Sequence, residues 1–473
     1  MSVILKSSEG EIEESIRSKL EQLTRQDRGK IVSISQAIDL VDPLAVYQTV
    51  HQGNQLHFYW ENPSLKEAIA CWDVAAAITI AGGKERFSLS RQFIENCQSK
   101  IIPLGGNLDS PAAGPRFCCS FTFFDYSGHG PSSFPGATIF LPSFQIVRQQ
   151  NQCFLVANIP LEDNLKLELA LEKLGDVRAI INLATRGIRD NWEQEKQNLN
   201  PVNRVSAARS FPAAVSSALK AIASQELSKI VLAHAFDFTS STPFSLVASL
   251  HNLRQQHPDC YIFSTSNGRG DNFIGASPER LIRIQNQQLI TDALAGSTQR
   301  GHTPATDARF AASLLNSEKE KREHQAVSDF VTQRLYEVGL IPSRGKRQLM
   351  QLNGIQHLWT PIYAEVPSFV NPLDLVAQLH PTPAVAGVPA AAACTAIRRY
   401  ETFDRSLYGA PLGWIDMAGN SEFIVAIRSG LIKENRARLY AGAGIVAGSD
   451  PYQEFAEVQL KLRWLLKALV NCR

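Results

Sequence analysis

The sequence predicts an α+β protein built around antiparallel β-sheets. The chain has 473 residues and 44% of them are hydrophobic, which is enough for a large core. Apolar runs over 261–293 follow one another at hairpin spacing, and turn-forming residues at 267–271 and 286–287 join them. Helical patterns stand between groups of strands instead of alternating with single strands, which favours antiparallel sheets over a βαβ array.

Composition excludes several functional classes. The 47 basic and 45 acidic side chains nearly cancel, so the chain lacks the basic surface expected of a nucleic-acid-binding protein. The eight cysteines are scattered and form no C-x-x-C pair, which is typical of reduced thiols and argues against a zinc site or a disulfide framework. No apolar run approaches the roughly 18 residues of a membrane span, and no secretory signal stands at the start. We therefore expect a soluble, cytoplasmic protein.

The first part of the chain, residues 1–204, gives weaker signals than the second, residues 205–473. Strands are expected near 57–60, 137–141 and 153–159. Residues 68–80 are apolar enough for either a buried helix or a strand. The polar stretch 188–205 is expected to connect the two parts.

The second part is easier to interpret. A helix is expected over 211–223, followed by a strand that Lys229 leads and by hairpins, with Glu279 in one of their turns. Ser317 with Glu320 forms the pattern of a capping box and predicts a helix start. Strands are expected at 412–415, 423–427 and 438–441, and Asp450-Pro451 predicts the start of the last helix.

Two of these helices carry carboxylates at spacings that suit a metal ion. Glu454, Glu457 and Lys461 fall on one face of the last helix, and Glu320 and Glu323 are three residues apart on the other. Two such pairs facing each other would suit Mg²⁺, which takes few protein oxygens. The alternative is that Glu320 serves only as a cap and that the other face is simply solvated.

Four further residues could carry chemistry or binding. A desolvated Lys229 could act as a base, and Glu279 in a closed site could stay protonated and act as an acid, although either could be a plain surface charge. Arg428, at the end of an apolar strand, could bind a carboxylate or could be an edge residue. His380 could contact a ligand or could be packed in a turn.

Together these segments resemble the chorismate-utilising enzymes, which include isochorismate, salicylate, anthranilate and aminodeoxychorismate synthases. The matching stretches occur in family order over about 205–470, at 227–233, 273–281, 294–297, 317–324, 380–387, 426–429, 440–446 and 449–461. The resemblance implies one large chorismate-binding fold, with antiparallel sheets in a sandwich-like core surrounded by helices. The substrate it implies is chorismate, a cyclohexadiene with two carboxylates.

The resemblance also implies roles for individual residues. It assigns Mg²⁺ to Glu323 and Glu457, with Glu320 and Glu454 supporting the ion through water. It assigns the substrate carboxylates to Arg428, Lys461 and the backbone N–H groups near Gly442. The remaining substrate-binding residues that it implies are Gly296, Ser297, His380, Ala384 and Tyr408.

Within this family, the resemblance favours isochorismate synthase. Members that use water carry a lysine at the position of Lys229, and Ala295 stands where aminodeoxychorismate synthase has a nucleophilic lysine. Lys229 would then take a proton from water that attacks C2, and Glu279 would protonate the departing C4 hydroxyl. We expect no glutamine amidotransferase subunit and a monomer. Salicylate synthase and a non-catalytic chorismate-binding subunit stay open as alternatives.

Overall fold

The computed structural model describes residues 27–470, together with residues 18 and 22, apart from a few gaps. The gaps are residues 52, 106–109, 129–131, 162–171, 173, 183–202, 205–209 and 353. The expected connection over 188–205 therefore lies outside the described residues, except for Asn203–Arg204, which forms a short strand.

One large sheet runs through the described part of the chain. Its strands lie in the order β10 (Asn203–Arg204), β11 (Lys229–Thr239), β23 (Arg436–Val446), β22 (Ser429–Lys433), β13 (Asn272–Ser277), β12 (Tyr261–Ser266), β2 (His57–Asn62), β3 (Glu67–Trp72), β8 (Phe144–Gln149), β9 (Gln152–Pro160), β1 (Ile31–Ile38) and β5 (Ile101–Gly105), with β19 (Gly387–Val388) beside β11. Among these described strands, β1 and β5 pair in parallel, and the other neighbours are antiparallel.

A second sheet is antiparallel. Its order is β16 (Ser343–Arg344), β18 (Ile355–Glu365), β15 (Gln288–Gln299), β14 (Arg280–Gln285), β21 (Ser421–Val425), β20 (Pro411–Asp416), β6 (Arg116–Phe121), β7 (Ala137–Leu141) and β4 (Ala76–Ile80), with β17 (Gln348–Leu352) beside β18. Each sheet takes strands from both sides of residue 204. The two parts of the sequence thus build one α+β fold, as expected.

Side chains of both sheets meet in a shared apolar layer. Phe58 and Trp60 of β2 belong to the same buried cluster as Phe140 of β7 and Leu412 of β20. Since neighbouring residues of a strand point to opposite faces, Tyr59 between them belongs to a different cluster on the other side. The sheets therefore pack face to face as a sandwich.

Helices cover the sheets. They are α1 (Pro43–Val50), α2 (Arg86–Gln98), α3 (Ser210–Ala223), α4 (Leu246–Gln256), α5 (Pro304–Asn316), α6 (Glu318–Glu337), α7 (Pro372–Leu379), α8 (Ala390–Tyr400) and α9 (Pro451–Val470). The predicted start of α6 is confirmed, because the Ser317 side chain accepts a hydrogen bond from the Glu320 backbone N–H. The start of α9 is confirmed too. Within the described residues, no helix is both long and apolar enough to cross a membrane.

The interpretation of residues 68–80 as one element is wrong. They form β3 and β4, which belong to different sheets. Asp73 lies between them with a φ of 56°, a left-handed conformation that turns the chain. The apolar pattern is continuous across this turn because both strands are apolar, so periodicity alone does not reveal the change of sheet.

A buried ion pair holds β11 in place. The guanidinium of Arg405 donates to both carboxylate oxygens of Glu401, at 2.5 and 2.9 Å, and to the carbonyls of Val231 and Val385 at 2.8 Å each. Glu401 in turn accepts a 2.8 Å hydrogen bond from the backbone N–H of Ala233. Since both side chains are almost fully buried, each depends on the other for its counter-charge.

Removing the charge of Glu401 should therefore destabilise the protein. We expect Glu401→Gln to lower the free energy of unfolding by about 3–5 kcal/mol, because it leaves the buried Arg405 without a counter-ion. Urea unfolding measures this change. Glu337→Gln, which breaks the exposed Arg334–Glu337 pair, is the control and should change stability by less than about 1 kcal/mol. Equal losses in the two variants would show that the buried pair does not have this role.

Candidate active site

A cleft of about 300 Å³ opens between the two sheets and helices α6 and α9. Most of the residues that the sequence singles out line it: Lys229, Glu279, Gly296, Ser297, Glu320, Glu323, Ala384, Tyr408, Arg428, Gly442, Glu454, Glu457 and Lys461. Residues more than 230 positions apart in the chain are thus brought together around one space. His380 is the exception among the expected residues.

Lys229 lies at the start of β11, with its ammonium group in the cleft. The pairing of β11 with β23 places Lys229 opposite Val446. Its side chain passes Gly444, where an added Cβ would lie 3.3 Å from the lysine Cε, so a small residue there leaves room for it. Lys229 is only 7% exposed, and its Nζ contacts the Glu323 carboxylate. A carboxylate partner compensates for the removal of this amine from water.

Glu279 is the other expected catalytic group, and it is held in a fixed turn between β13 and β14. The Ser277 hydroxyl accepts from the Glu279 backbone N–H at 3.2 Å and donates to the Val425 carbonyl at 2.6 Å. Burial raises the pKa of Glu279 to about 8, the negative charge of Asp292 adds to this effect, and Lys229 opposes it. Glu279 is therefore predominantly protonated at neutral pH.

Asp292 was not expected from the sequence. Its carboxylate accepts from Arg280 at 2.9 Å and from the indole N–H of Trp359 at 2.8 Å. The two donors fix the position of the Asp292 carboxylate near Glu279, where its negative charge adds to the rise in the pKa of Glu279. A single aspartate in a strand gives no pattern that would have revealed this influence.

Four carboxylates approach the cleft from two helices. Glu320 and Glu323 extend from α6, and Glu454 and Glu457 extend from α9. Burial raises the pKa of Glu320 and of Glu454, and in each case the neighbouring carboxylate adds to the rise. Glu320 and Glu454 thus each lie beside another carboxylate, an arrangement that a bound cation would stabilise.

The glutamate carboxylates of the cleft suit a magnesium ion better than a metal that takes all of its ligands from protein side chains. Among the described residues, no three His, Cys, Asp or Glu side chains converge closely enough to hold an ion between them. Mg²⁺ is usually bound through one or two carboxylates and keeps water or substrate oxygens in its shell. Paired glutamates on two facing helices satisfy that requirement.

Gly296 lets β15 bend toward α6. The register of β15 on β18 shifts between Ala295 and Ser297, which is a β-bulge, and Gly296 has a φ of 77°. An added Cβ would lie 3.0 Å from a carboxylate oxygen of Glu320. Glycine is therefore needed both for the backbone conformation and for the approach of the carboxylate.

Arg428 presents a guanidinium group that has no carboxylate partner. Among the described residues, no carboxylate oxygen lies within 4.0 Å of it. Its Nη1 lies 3.7 Å from the Cys260 Sγ, and its Cζ stands over the Trp464 ring at 5.8 Å. Trp464 follows Lys461 by three residues on α9, so it extends the same helix face. Arg428 is thus held by uncharged contacts and is free to pair with an anion.

Lys461, Tyr408 and Gly442 form another wall. The Lys461 ammonium donates to the Gly442 carbonyl at 3.0 Å and pairs with Glu457 at 2.7 Å. An added Cβ on Gly442 would lie 2.9 Å from the Leu232 carbonyl oxygen and 3.1 Å from the Tyr408 hydroxyl, so glycine leaves space for both. Tyr408 stacks on Tyr440 with ring centroids 5.3 Å apart, which fixes the position of its hydroxyl.

The expectation that His380 lines the same cleft is wrong. Its ring nitrogen Nε2 lies 2.9 Å from the Phe123 carbonyl, and the ring packs edge-on against Phe123. Burial lowers its pKa to about 3, so it is neutral. The neighbouring Ala384 does reach the cleft, because the chain turns between the two residues.

His357 occupies the cleft instead, and the sequence did not single it out. It lies on β18 opposite Ser297, its Nε2 is buried and unpartnered, and burial together with the charges of Arg428 and Lys461 lowers its pKa to about 3. A neutral imidazole with an unpaired nitrogen can exchange a hydrogen bond with a bound molecule. The register against Gly296–Ser297 is the signal that would have located it.

Comparison with known proteins gives a consistent result. A family model described as chorismate binding enzyme matches residues 18–470. The sequence is 34% identical over 464 residues to the salicylate biosynthesis isochorismate synthase of Pseudomonas aeruginosa, covering 94% of this chain and 91% of that protein. It is 30% identical over 448 residues to isochorismate synthase MenF of Bacillus subtilis, covering 93% of each.

Solved structures agree with this. The menaquinone-specific isochorismate synthase MenF of Escherichia coli matches with a TM-score of 0.77 at 25% sequence identity. The match covers 96% of this chain and 100% of that chain. Anthranilate synthase component I of Streptococcus pneumoniae matches with a TM-score of 0.68 at 21% identity, covering 85% of this chain and 92% of that one. The second match shows a shared fold.

The raised pKa of Glu279 should appear as a pH dependence of stability. The unfolded chain releases this proton near pH 4.5 and the folded protein near pH 8, so Glu279 makes folding less favourable as the pH rises between these values. Compared with the wild type, Glu279→Gln should therefore gain free energy of unfolding from about pH 5 to about pH 9. Urea unfolding of both proteins at each pH measures this difference. A difference that is constant with pH would mean that Glu279 titrates normally.

Proposed function

This chain belongs to the chorismate-binding enzyme family, and we propose that it is an isochorismate synthase, which converts chorismate to isochorismate. In this reaction water forms a new C–O bond at ring C2, the C–O bond at C4 breaks, and the double bonds of the ring shift. The observation that carries the proposal is the joint presence of Lys229 and Glu279 in one cleft, one as a candidate base and the other as a protonated acid.

Lys229 is the proposed base. It must accept a proton from water as the oxygen attacks C2, so its amine has to be neutral when the reaction begins. Its Nζ contacts the Glu323 carboxylate, so Lys229 must separate from that carboxylate before it can accept a proton from water.

Glu279 is the proposed acid. Its protonated side chain donates a proton to the hydroxyl that leaves C4, which otherwise would depart as hydroxide. An acid with a pKa of about 8 is both predominantly protonated and still able to release its proton near neutral pH. The proton taken up by Lys229 and the one released by Glu279 balance, so the overall reaction neither consumes nor produces acid.

Arg428 and Lys461 are the proposed partners of the substrate carboxylates. Arg428 has a free guanidinium, which can bind a carboxylate with two parallel hydrogen bonds. Lys461 would add a point charge, and Tyr408 and His357 can supply hydrogen bonds from the walls. These contacts would hold the ring between Lys229 and Glu279, and orientation of this kind contributes a large part of a rate enhancement.

The charge balance of the cleft supports the proposed Mg²⁺ requirement. With the Lys229 amine neutral, as the proposed reaction requires, and Glu279 protonated, the lining has three cationic side chains (Lys319, Arg428 and Lys461) and four carboxylates (Glu320, Glu323, Glu454 and Glu457). A substrate with two negative charges would add to this excess of negative charge. A divalent ion held by Glu323 and Glu457 would reduce the excess and would withdraw electrons from the ring carboxylate.

Product analysis tests the proposed activity. With chorismate and Mg²⁺ we expect isochorismate as the single product, in a mixture with remaining chorismate, and we expect the same mixture when isochorismate is the starting material. EDTA should abolish turnover and excess Mg²⁺ should restore it. Salicylate with pyruvate would instead identify a salicylate synthase, binding without turnover would identify a non-catalytic subunit, and full activity in EDTA would contradict the metal requirement.

The two proposed proton-transfer groups can be tested separately. Lys229→Ala and Glu279→Gln should each lower kcat by about a hundredfold or more, because a positioned acid or base typically contributes that much. Circular dichroism should show that both variants stay folded. Lys433→Ala, which removes an exposed lysine outside the cleft, is the control. A near-normal kcat in either variant would remove that residue from the mechanism.

Trp464 provides a test of how Arg428 is held. Trp464→Ala should raise KM for chorismate about three- to tenfold with little change in kcat, because the ring contact orients the guanidinium before the reaction begins. Trp464→Phe keeps an aromatic face and should restore most of the affinity. Tyr452→Ala, an exposed residue on the same helix, is the control. A loss in kcat alone would contradict this positioning role.

A further inference from the structure

A second cavity lies on the other side of the segment that carries Ala384. It has a volume of about 250 Å³ and is bordered by the start of α2 and by one face of α8. Within the described residues, its lining shares no residue with the substrate cleft. His380, which the sequence suggested as a substrate contact, belongs to this cavity.

Arg86 is the central feature of the cavity. It is only 6% exposed, and its guanidinium donates to the Gly83 carbonyl at 3.3 Å and lies over the Phe87 ring with the Cζ at 4.7 Å. Its Nε is buried and has no hydrogen-bond partner. Among the described residues, no carboxylate lies within 4.0 Å of this guanidinium. A buried cation without a counter-ion is costly, so such residues are normally paired.

The remaining charges do not supply the missing partner. Asp125 is already engaged by Arg398, whose Nη2 donates to its Oδ1 at 2.5 Å. His380 is neutral, because burial lowers its pKa to about 3. Two guanidinium groups therefore face one carboxylate, and the cavity has an excess of one positive charge. Burial also lowers the pKa of Arg86, as expected for a desolvated cation whose counter-charge is distant.

Other surfaces of the cavity are apolar. Phe124 and Pro381 contribute rings, and the Cys394 thiol is uncharged because burial raises its pKa. An inorganic anion would use only the guanidinium groups and would leave these surfaces in contact with water. A carboxylate attached to an apolar group would satisfy both.

We propose that this cavity is a binding site for a small organic carboxylate, which pairs with Arg86 through its charged end and packs against Phe124 and Pro381 through its apolar part. The site is distinct from the substrate cleft, and its ligand is a monoanion because the cavity lacks a single negative charge. Acetate shares the single charge and phosphate supplies at least as much, but both lack the apolar part, so they should bind more weakly than benzoate.

Calorimetric titration of the full-length protein with benzoate, acetate and phosphate, at constant ionic strength, tests the proposal. Benzoate should bind saturably and more tightly than the other two anions. Arg86→Met should weaken benzoate binding at least about tenfold, because a charge-assisted hydrogen bond contributes on that scale. Arg91→Met removes the same charge from a more exposed position on α2 and is the matched control, in which binding should be unchanged.

Two further variants keep the result unambiguous. Thr395→Trp fills the cavity from its exposed rim without removing Arg86, so it should abolish binding even if Arg86→Met folds poorly. Arg428→Met removes the proposed carboxylate partner in the substrate cleft, so benzoate binding that remains in this variant and is lost in Thr395→Trp belongs to the second cavity. Loss of binding in Arg428→Met with retention in Thr395→Trp would place benzoate in the cleft and overturn the proposal. Absence of saturable benzoate binding, or tighter binding of phosphate, would overturn it as well.

Discussion

Exclusion of water around Glu279 is the constraint on which the proposed chemistry depends. Glu279 is 7% exposed and its carboxyl group lies near the negative charge of Asp292, so it keeps its proton at a pH where an exposed glutamate would have lost it. Lys229 is as deeply buried as Glu279, and its Nζ contacts the Glu323 carboxylate in the same cleft. One cleft thus holds a protonated acid and an amine with a carboxylate partner, and these are the two groups that the proposed proton transfers require.

The strand pairing of β11 with β23 determines where these groups stand. It places Lys229 beside Val446, and α9 starts five residues later at Pro451, so the carboxylates of that helix must approach the same end of the sheet. Gly442 and Gly444 leave space on β23 for Tyr408 and Lys229. The buried Glu401–Arg405 pair fixes β11 from its other side through the carbonyl of Val231. Backbone hydrogen bonds and one buried ion pair therefore hold in place the strands and the helix that carry the side chains of the cleft.

Much of this arrangement could be predicted from the sequence. Local patterns sufficed for the starts of α6 and α9 and for the turn that carries Glu279, because capping residues and hairpin turns act over a few positions. The ordered motifs led to the family, which the comparisons confirm. The joint presence of thirteen expected residues in one cleft was implied by that resemblance and not by any spacing. The assignments of catalytic roles and of the metal stay predictions.

The expectations that the structure contradicts, and the residues that the sequence did not single out, have physical explanations. His380 and Ala384 belong to one motif, but the chain turns between them. Ala384 therefore faces the cleft, and His380 faces a second cavity. His357 and Asp292 come close to the site through strand register, a long-range relation that a single sequence does not display. Trp464 extends the helix face of Lys461, a local spacing that the sequence contains but that does not show the contact with Arg428. The division of residues 68–80 between two sheets was hidden for the same reason.

The most direct measurement of the central claim is a titration of the Glu279 side chain itself. Carbon-13 NMR of the full-length protein labelled at the glutamate carboxyl carbon, compared with Glu279→Gln, identifies its signal by difference. We expect that signal to titrate with a pKa of about 8, raised above the ordinary value by burial. A midpoint at the ordinary glutamate value would mean that Glu279 is ionised at neutral pH, and the proposed acid would then have no proton to give.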